Sequence, residues 1–198
     1  MSRFSEFPAH VERHVGRVRG AETKEIGDHV RSYHLVFCDH QDGAHVSVLT
    51  SGLRDETAGA PLPQELIATG RTDQELHVRH LVAVIAELLA ESGSRVGYGA
   101  LIMNDRALLP DTRVCGALAA PHPYLADEFD IVADPAGDPV LQMITLVPIT
   151  RPESQLVARY GKDALYDRWE QTRTDLLDLK RPCAAGSDPR ENGTGSSS

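Results

Sequence analysis

The stretch LQMITLVPITRPESQLVARYGKDAL, residues 141–165, decides the fold class. It begins with an apolar run typical of a buried strand, and its Thr150 and Glu153 match the T-x-x-E signature of a helix start. Pro148 cannot donate a ladder hydrogen bond, so the strand should end there or lie at a sheet edge. We therefore interpret Pro148-Ile149-Thr150 as a joint between a strand and a helix, the alternative being a reactive site on a loop.

A long core helix is predicted over residues 73–92, upstream of this joint. Thr72 and Glu75 repeat the T-x-x-E signature at its start, and Gly93 supplies a stop signal at its end. Its apolar residues cover more than half of the helical wheel, which is typical of a helix packed in the protein interior.

Three shorter helices are predicted. Apolar residues spaced by three and four positions indicate an amphipathic helix over 5–19. After the joint, a helix pair is expected at 152–160 and 162–174, broken at Gly161.

Strands account for much of the remaining chain. Residues 31–38 and 45–50 are rich in aromatic and β-branched residues and are joined by the turn signal Asp42-Gly43, so they predict a β-hairpin. Further strands are expected at 62–70, 98–103, 114–120, 129–133 and 140–147. Because strands and helices do not alternate regularly, the prediction is an α+β domain with a mixed, largely antiparallel sheet packed with the core helix and the C-terminal helices.

Composition limits the function. The 198 residues carry a formal charge of −9, which disfavours nucleic-acid binding without a local basic patch. The three cysteines form no C-x-x-C pair, which argues against a disulfide framework and fits a reducing cytoplasm. No apolar run has the length of a signal core or a membrane helix, so we expect a soluble cytoplasmic protein without membrane contact.

The chain divides into three parts by pattern. Residues 1–28 are expected to form the N-terminal helix and a linker, and residues 29–182 one folded domain. Residues 183–198 shift to Gly, Ser, Asp and Asn, a composition that predicts a disordered tail.

A cluster of histidines and aspartates suggests a metal-dependent hydrolase as the alternative function. Its members are His34, Asp39, His40, Asp42 and His45. Imidazole and carboxylate groups suit a divalent transition metal if the hairpin brings them together. The competing interpretation is a polar turn that caps two strands, because these residue types are common in turns.

Other chemical motifs are weak. His77 and His80 form an H-x-x-H pair on the core helix, but no third ligand is marked, and packing beside the sheet explains them as well. The serines near Gly93 lack the G-x-S-x-G context of a nucleophile elbow. Cys115 lies in an apolar stretch that indicates a buried thiol. We therefore predict no catalytic, cofactor-binding or metal-binding residue.

An acidic stretch is left that neither the core nor helix caps explain. No Lys or Arg occurs between Arg113 and Arg151, a span that holds the carboxylates of Asp127, Glu128, Asp130, Asp134 and Asp138. Gathered on one rim, they would speed association with a basic partner. The alternative is a solvated acidic loop without a binding role.

Several pieces, taken in order, resemble the suppressor of fused domain over roughly residues 30–182. They are VLTSGL at 48–53, QELI at 64–67, LVAVIAELLAESG at 81–93, ITLVPITRPESQLVARYGKDAL at 144–165 and LDLKRP at 177–182. The resemblance implies a non-enzymatic protein-binding domain without a cofactor. Short bacterial members of this family resemble immunity proteins that neutralise a cognate toxin, so the expected partner is a protein such as a basic toxin domain.

Overall fold

The computed structural model describes residues 5–25, 32–55 and 62–186. Within these ranges the chain forms eight strands and four α-helices. The helices are α1 (Phe7–His14), α2 (Glu75–Ser92), α3 (Arg151–Tyr160) and α4 (Lys162–Thr172). The strands are β1 (Arg17–Glu25), β2 (Ser32–Asp39), β3 (His45–Ser51), β4 (Gln64–Arg71), β5 (Leu101–Met103), β6 (Val114–Ala120), β7 (Ile131–Ala133) and β8 (Pro139–Thr150).

All eight strands belong to one sheet in the order β1-β2-β3-β4-β8-β6-β5, and β7 pairs separately with β8. The β4–β8 pair is parallel, and the other strand pairs are antiparallel. The α+β class with a mixed, largely antiparallel sheet is therefore confirmed.

Helices cover both faces of the sheet. Alternate residues of β8 point to opposite sides, so Ile144 and Leu146 pack toward α2, whereas Met143 and Val147 pack toward the other face. On that second face α1 covers one half of the sheet and the α3–α4 pair covers the other. The long strand β8 is thus buried between helical layers, which explains its nearly continuous apolar sequence.

The N-terminal helix is shorter than its sequence pattern predicts. It ends at His14, and Arg17–Glu25 forms the edge strand β1 instead of continuing the helix or a linker. Gly16 permits the change of direction with a φ of 143°, and an added Cβ there would lie 2.3 Å from the carbonyl oxygen of Asp39. The sequence hides β1 because a largely solvent-exposed edge strand needs backbone pairing with β2 more than apolar alternation.

The two T-x-x-E signatures have different outcomes. Thr150 and Glu153 form the predicted capping box, in which the Thr150 amide donates to the Glu153 carboxylate at 2.8 Å. At the first signature Thr72 begins a short 3-10 turn and its hydroxyl donates to the Gly43 carbonyl, while Glu75 pairs with Arg19 at 2.8 Å. That capping-box prediction is wrong because tertiary partners take both side chains.

The joint at residues 148–150 is confirmed, although Pro148 does not end the strand. It pairs with Ala117 of β6, and β8 continues to Thr150. The parallel neighbour β4 pairs only with residues 142–145, so the opposite side of β8 is unpaired at Pro148. There the Pro148 carbonyl accepts a hydrogen bond from Arg181 at 3.0 Å. Pro148 therefore lies at a local edge, as its missing amide requires.

Other element boundaries shift modestly. The strands predicted at 98–103 and 129–133 shrink to β5 and β7, because a 3-10 turn occupies Asp127–Asp130 and turns precede β5. The break at Gly161 between α3 and α4 is confirmed. Most of the tail predicted to be disordered, residues 187–198, lies outside the described residues.

Candidate protein-binding surface

The five acidic residues singled out by sequence lie on or next to the turns that flank β7. Asp127, Glu128 and Asp138 are exposed to solvent. Asp127 and Glu128 belong to the 3-10 turn before β7, and Asp138 follows the turn that leads into β8. These three exposed carboxylates are referred to below as the acidic rim.

The other two acidic residues accept hydrogen bonds from backbone amides. Asp130 is buried, and its carboxylate accepts a hydrogen bond from the His122 amide at 3.0 Å. Burial raises the pKa of Asp130. Asp134 accepts from the amides of Ala136 and Asp138 at 2.9 and 3.0 Å, which closes the turn before β8. These carboxylates shape the segment that carries the acidic rim.

Phe129 anchors the acidic segment to the sheet. Its ring is fully buried and lies 5.7 Å from the His10 ring and 5.6 Å from the His122 ring. The His10 side chain also donates to the Phe129 carbonyl at 2.9 Å. Because α1 and the buried ring fix this backbone, the acidic rim is presented by a packed segment.

His122 is a second anchor of the same segment. Its Nδ1 accepts hydrogen bonds from the amides of Tyr124 and Leu125 at 3.2 and 3.1 Å, so the neutral ring carries its proton on Nε2 and donates to Thr69 at 3.0 Å. Burial lowers the pKa of His122 to about 4. The ring is therefore neutral at physiological pH.

A chain of buried hydrogen bonds continues from His122 across the sheet. The Thr69 hydroxyl, which accepts from His122, donates to Ser47 at 2.6 Å. Ser47 in turn donates to Nε2 of His40 at 2.8 Å. Each side chain in this series donates to the next one, and together the hydrogen bonds tie the loop after β6 to β3 and β4.

The proposed metal cluster around the hairpin does not converge. His34 contacts Thr23 at 3.1 Å, whereas His40 lies six residues further along, about 20 Å for an extended strand. Asp42 binds His45 at 2.6 Å and accepts two backbone amides of the turn, and Asp39 faces Arg19 at 3.8 Å. Within the described ranges no three His, Cys, Asp or Glu side chains are arranged to hold a metal ion.

The H-x-x-H pair of α2 is separated in the same way. His77 contacts the Pro110 carbonyl at 3.0 Å, and His80 is exposed to solvent. The described contacts therefore assign His77 to packing against the loop before β6. Cys115 is buried, as its apolar context predicts, and burial raises the pKa of its thiol.

Sequence reasoning missed the buried carboxylate of Glu65. It accepts hydrogen bonds from the Thr50 hydroxyl, the Gly52 amide and the Arg54 guanidinium at 2.6, 2.7 and 2.6 Å. Burial raises the pKa of Glu65, and these three donors partly offset the increase. A charge inside the apolar strand sequence QELIATG was the available signal.

Glu153 is a second buried carboxylate, and the sequence indicated only its capping role. Arg181 binds it through two nitrogens at 2.6 and 3.0 Å, and the Trp169 indole donates at 3.2 Å. Burial acts to raise the pKa of Glu153, but hydrogen bonding and charge from Arg181 outweigh it and the pKa is lowered. The carboxylate thus joins α3, α4 and the segment after α4.

Comparison with known proteins agrees with this architecture. The family model of the suppressor of fused protein (SUFU) matches residues 29–182. The chain belongs to the SUFU family. A search of curated proteins gave no match.

Solved SUFU structures share the fold at low sequence identity. A putative SUFU homolog from Neisseria gonorrhoeae is 15% identical with a TM-score of 0.67, and the match covers 94% of this chain and 98% of that one. The Sufu-Fu complex matches at 14% identity with a TM-score of 0.60, covering 92% of each chain. Drosophila Suppressor of Fused matches at 17% identity and 0.52, covering 77% of this chain and 42% of that protein.

The described helices were also compared with the requirements of a bilayer. None of them combines the length and the apolar character that crossing a membrane demands.

Proposed function

We propose that this SUFU-family chain is a non-enzymatic protein-binding domain that acts in the bacterial cytoplasm as an immunity protein against a toxin with a basic binding surface. A similar protein of known structure is described as a complex, Sufu-Fu, which supports protein binding as the activity of this fold. The acidic rim of Asp127, Glu128 and Asp138 receives the partner. The hydrogen bonds of Asp130 and Asp134 stabilise the backbone conformation of the segment that carries the rim.

The observation that carries this proposal is the anchoring of the acidic rim. Two of its three exposed carboxylates, those of Asp127 and Glu128, directly precede the buried Phe129, so binding a partner there requires little ordering of the backbone. The segment between Arg113 and Arg151 contributes no Lys or Arg of its own to offset its negative charge, and Arg13 of α1 is the cationic side chain that lines a cavity together with Glu128.

A non-enzymatic role is supported by the use of the buried polar groups. The buried carboxylates of Glu65 and Glu153 and the ring of His122 are each engaged by internal hydrogen bonds. Groups held in this way stabilise the fold and are not positioned to attack or protonate a substrate.

The immunity role is tested by co-expression with the proteins encoded next to this chain. We expect one of them to arrest growth when expressed alone, and growth to recover when this chain is present. The two purified proteins should form a complex that elutes as one species in size-exclusion chromatography. Neighbouring proteins that neither arrest growth nor bind would contradict the immunity role.

A metal requirement separates this function from the hydrolase alternative. Purified chain should give the same melting temperature and the same partner affinity with and without a chelator. A stoichiometric metal whose removal abolishes function would instead support chemistry at the hairpin.

A further inference from the structure

A cavity of about 180 Å³ lies at the end of β8 that is farthest from the acidic rim. Pro139 and Thr150 are eleven positions apart in β8, about 36 Å for an extended strand. The cavity lies between the loop after β5, the start of β6, the first turn of α3 and the segment after α4. Its walls include Arg106, Arg113, Arg151, Thr150, Cys115 and Cys183.

We propose that this cavity binds the phosphate group of a small molecule, a property independent of the protein-binding function. Three arginines from two segments line it, Arg106 and Arg113 from the loop between β5 and β6 and Arg151 from α3, and Asp105 is the single carboxylate among its lining residues. A cluster of three positively charged side chains is unexpected in a chain whose formal charge is −9. Guanidinium groups are the donors best suited to oxyanions.

The number and placement of the arginines favour phosphate over carboxylate. A carboxylate has two oxygens, which one bidentate arginine can satisfy, whereas a phosphate presents oxygens in several directions and carries up to two charges. Three arginines that line one cavity from two segments match the second pattern. The volume is below the roughly 300 Å³ of pockets for drug-sized ligands, so it suits a phosphate group with a small remainder.

The structure keeps one wall of the cavity in place. Arg151 donates to the backbone carbonyls of Asn104 and Asp105, which fixes the loop that brings Arg106 to the cavity. On the opposite side the Thr150 hydroxyl donates to the Cys183 sulfur at 3.0 Å. Burial raises the pKa of the Cys115 thiol, although the charge of Arg151 acts in the opposite direction. The thiol is therefore neutral and does not compete with an anionic ligand for the arginines.

A neighbouring cavity extends the same basic surface. It measures about 510 Å³, shares Arg113 with the first cavity and is also lined by Lys180 and Arg181. Arg181 is engaged with Glu153, so Lys180 is the additional exposed cation. Asp111 is the carboxylate on this side. A ligand larger than phosphate has room to extend from the first cavity past Arg113.

The test is a titration of the full chain with inorganic phosphate, glycerol phosphate and acetate, followed by amide NMR shifts. Phosphate compounds should shift the amides of residues 105–107, 113–115 and 150–151, and acetate should not. Binding should be tighter at pH 7.5 than at pH 5.5, because a phosphate monoester gains its second charge near pH 6. Stronger binding of glycerol phosphate than of free phosphate would identify a phosphomonoester as the ligand, and the reverse order would identify phosphate itself.

Charge variants make the test specific. Arg106→Gln, at an exposed position, should weaken phosphate binding about tenfold, the loss expected for one charge-assisted hydrogen bond. Arg168→Gln removes an equally exposed arginine on α4 and should leave binding unchanged. Equal shifts with acetate, equal loss in both variants, or no saturable shift with any probe would overturn the proposal.

Discussion

At the residue scale, the Glu153 carboxylate connects β8, α4 and the segment after α4. It accepts hydrogen bonds from the Thr150 amide, the Trp169 indole, the Arg181 guanidinium and the Ala184 amide. Its side chain is fully buried, and that of Arg181 is 5% exposed. One carboxylate therefore fixes the end of β8, two helices and the segment after α4 relative to one another.

Glu153→Gln should lower the free energy of unfolding by about 3–5 kcal/mol, because the buried charge of Arg181 loses its partner. Urea denaturation at pH 7 measures the change. The matched control is Glu170→Gln at an exposed position of α4, which should change the free energy by less than about 0.5 kcal/mol. A loss at Glu153 no larger than that at Glu170 would contradict the role of this carboxylate.

His122 should make stability depend on pH. The unfolded ring binds a proton near pH 6.5, whereas the folded ring binds it near pH 4, so the unfolded state holds more protons between these values. The free energy of unfolding should therefore fall as pH drops from 6.5 to 4, by about 3 kcal/mol at the lower limit.

Two variants test whether His122 causes this pH dependence. Asn at position 122 keeps an oxygen for the two backbone amides and does not titrate, so His122→Asn should make the curve of unfolding free energy less steep between pH 6.5 and 4, while the buried His10 and His40 keep their contributions. His80→Asn changes an exposed histidine of α2 and should leave the curve unchanged. A curve that keeps its slope in His122→Asn would show that other groups cause it.

At the element scale, the turn between α1 and β1 depends on Gly16. Its φ of 143° is rarely adopted by residues with a Cβ, and such an atom would meet the Asp39 carbonyl of the neighbouring strand. The turn allows α1 to pack on the sheet while β1 pairs with β2. The backbone conformation at Gly16 therefore affects both the packing of α1 and the pairing of β1.

Gly16→Ala should lower the free energy of unfolding by about 1–3 kcal/mol, since the strained backbone cannot relax without moving β1 from β2. Gly20→Ala in β1 is the matched control, because an added Cβ there meets nothing within 4 Å. Urea denaturation of both variants measures the difference. Equal stability of the two would show that the turn tolerates a side chain.

Thr150→Ala tests the joint between β8 and α3. Loss of the helix cap should cost about 1 kcal/mol, while Thr150→Ser, which keeps the hydroxyl, should cost less. Partner binding by the folded variant should be unchanged. Binding lost without a change in the urea midpoint would favour a reactive site at residues 148–150.

The elements differ in how far sequence could predict them. The joint was predictable because Pro148 and the T-x-x-E signature act locally. The edge strand β1 was not, because its pairing with β2 is a tertiary contact that leaves no apolar alternation in the sequence. The first T-x-x-E signature failed for the same reason, since Arg19 and Gly43 take the side chains that would have formed the cap.

At the scale of the whole molecule, charge is separated along β8. The acidic rim lies at the start of this strand, and the arginine-lined cavity lies at its end. Sequence identified the acidic stretch because its residues are close in the chain. It could not identify the cavity, because Arg151 meets Arg106 and Arg113 only in the folded protein.

Under the proposed function, the acidic rim receives a basic protein partner. The most direct measurement is the association rate with a binding partner encoded next to this chain across a series of salt concentrations, for the native chain and the variant Asp127→Asn, Glu128→Gln, Asp138→Asn. The rate should fall with salt in the native chain, and the variant should associate at least about tenfold more slowly at low salt. The control Asp73→Asn, Glu87→Gln, Glu91→Gln removes the same charge from exposed positions in and before α2, and its rate should stay close to the native one. Identical rates for the rim variant and the native chain would contradict the claim.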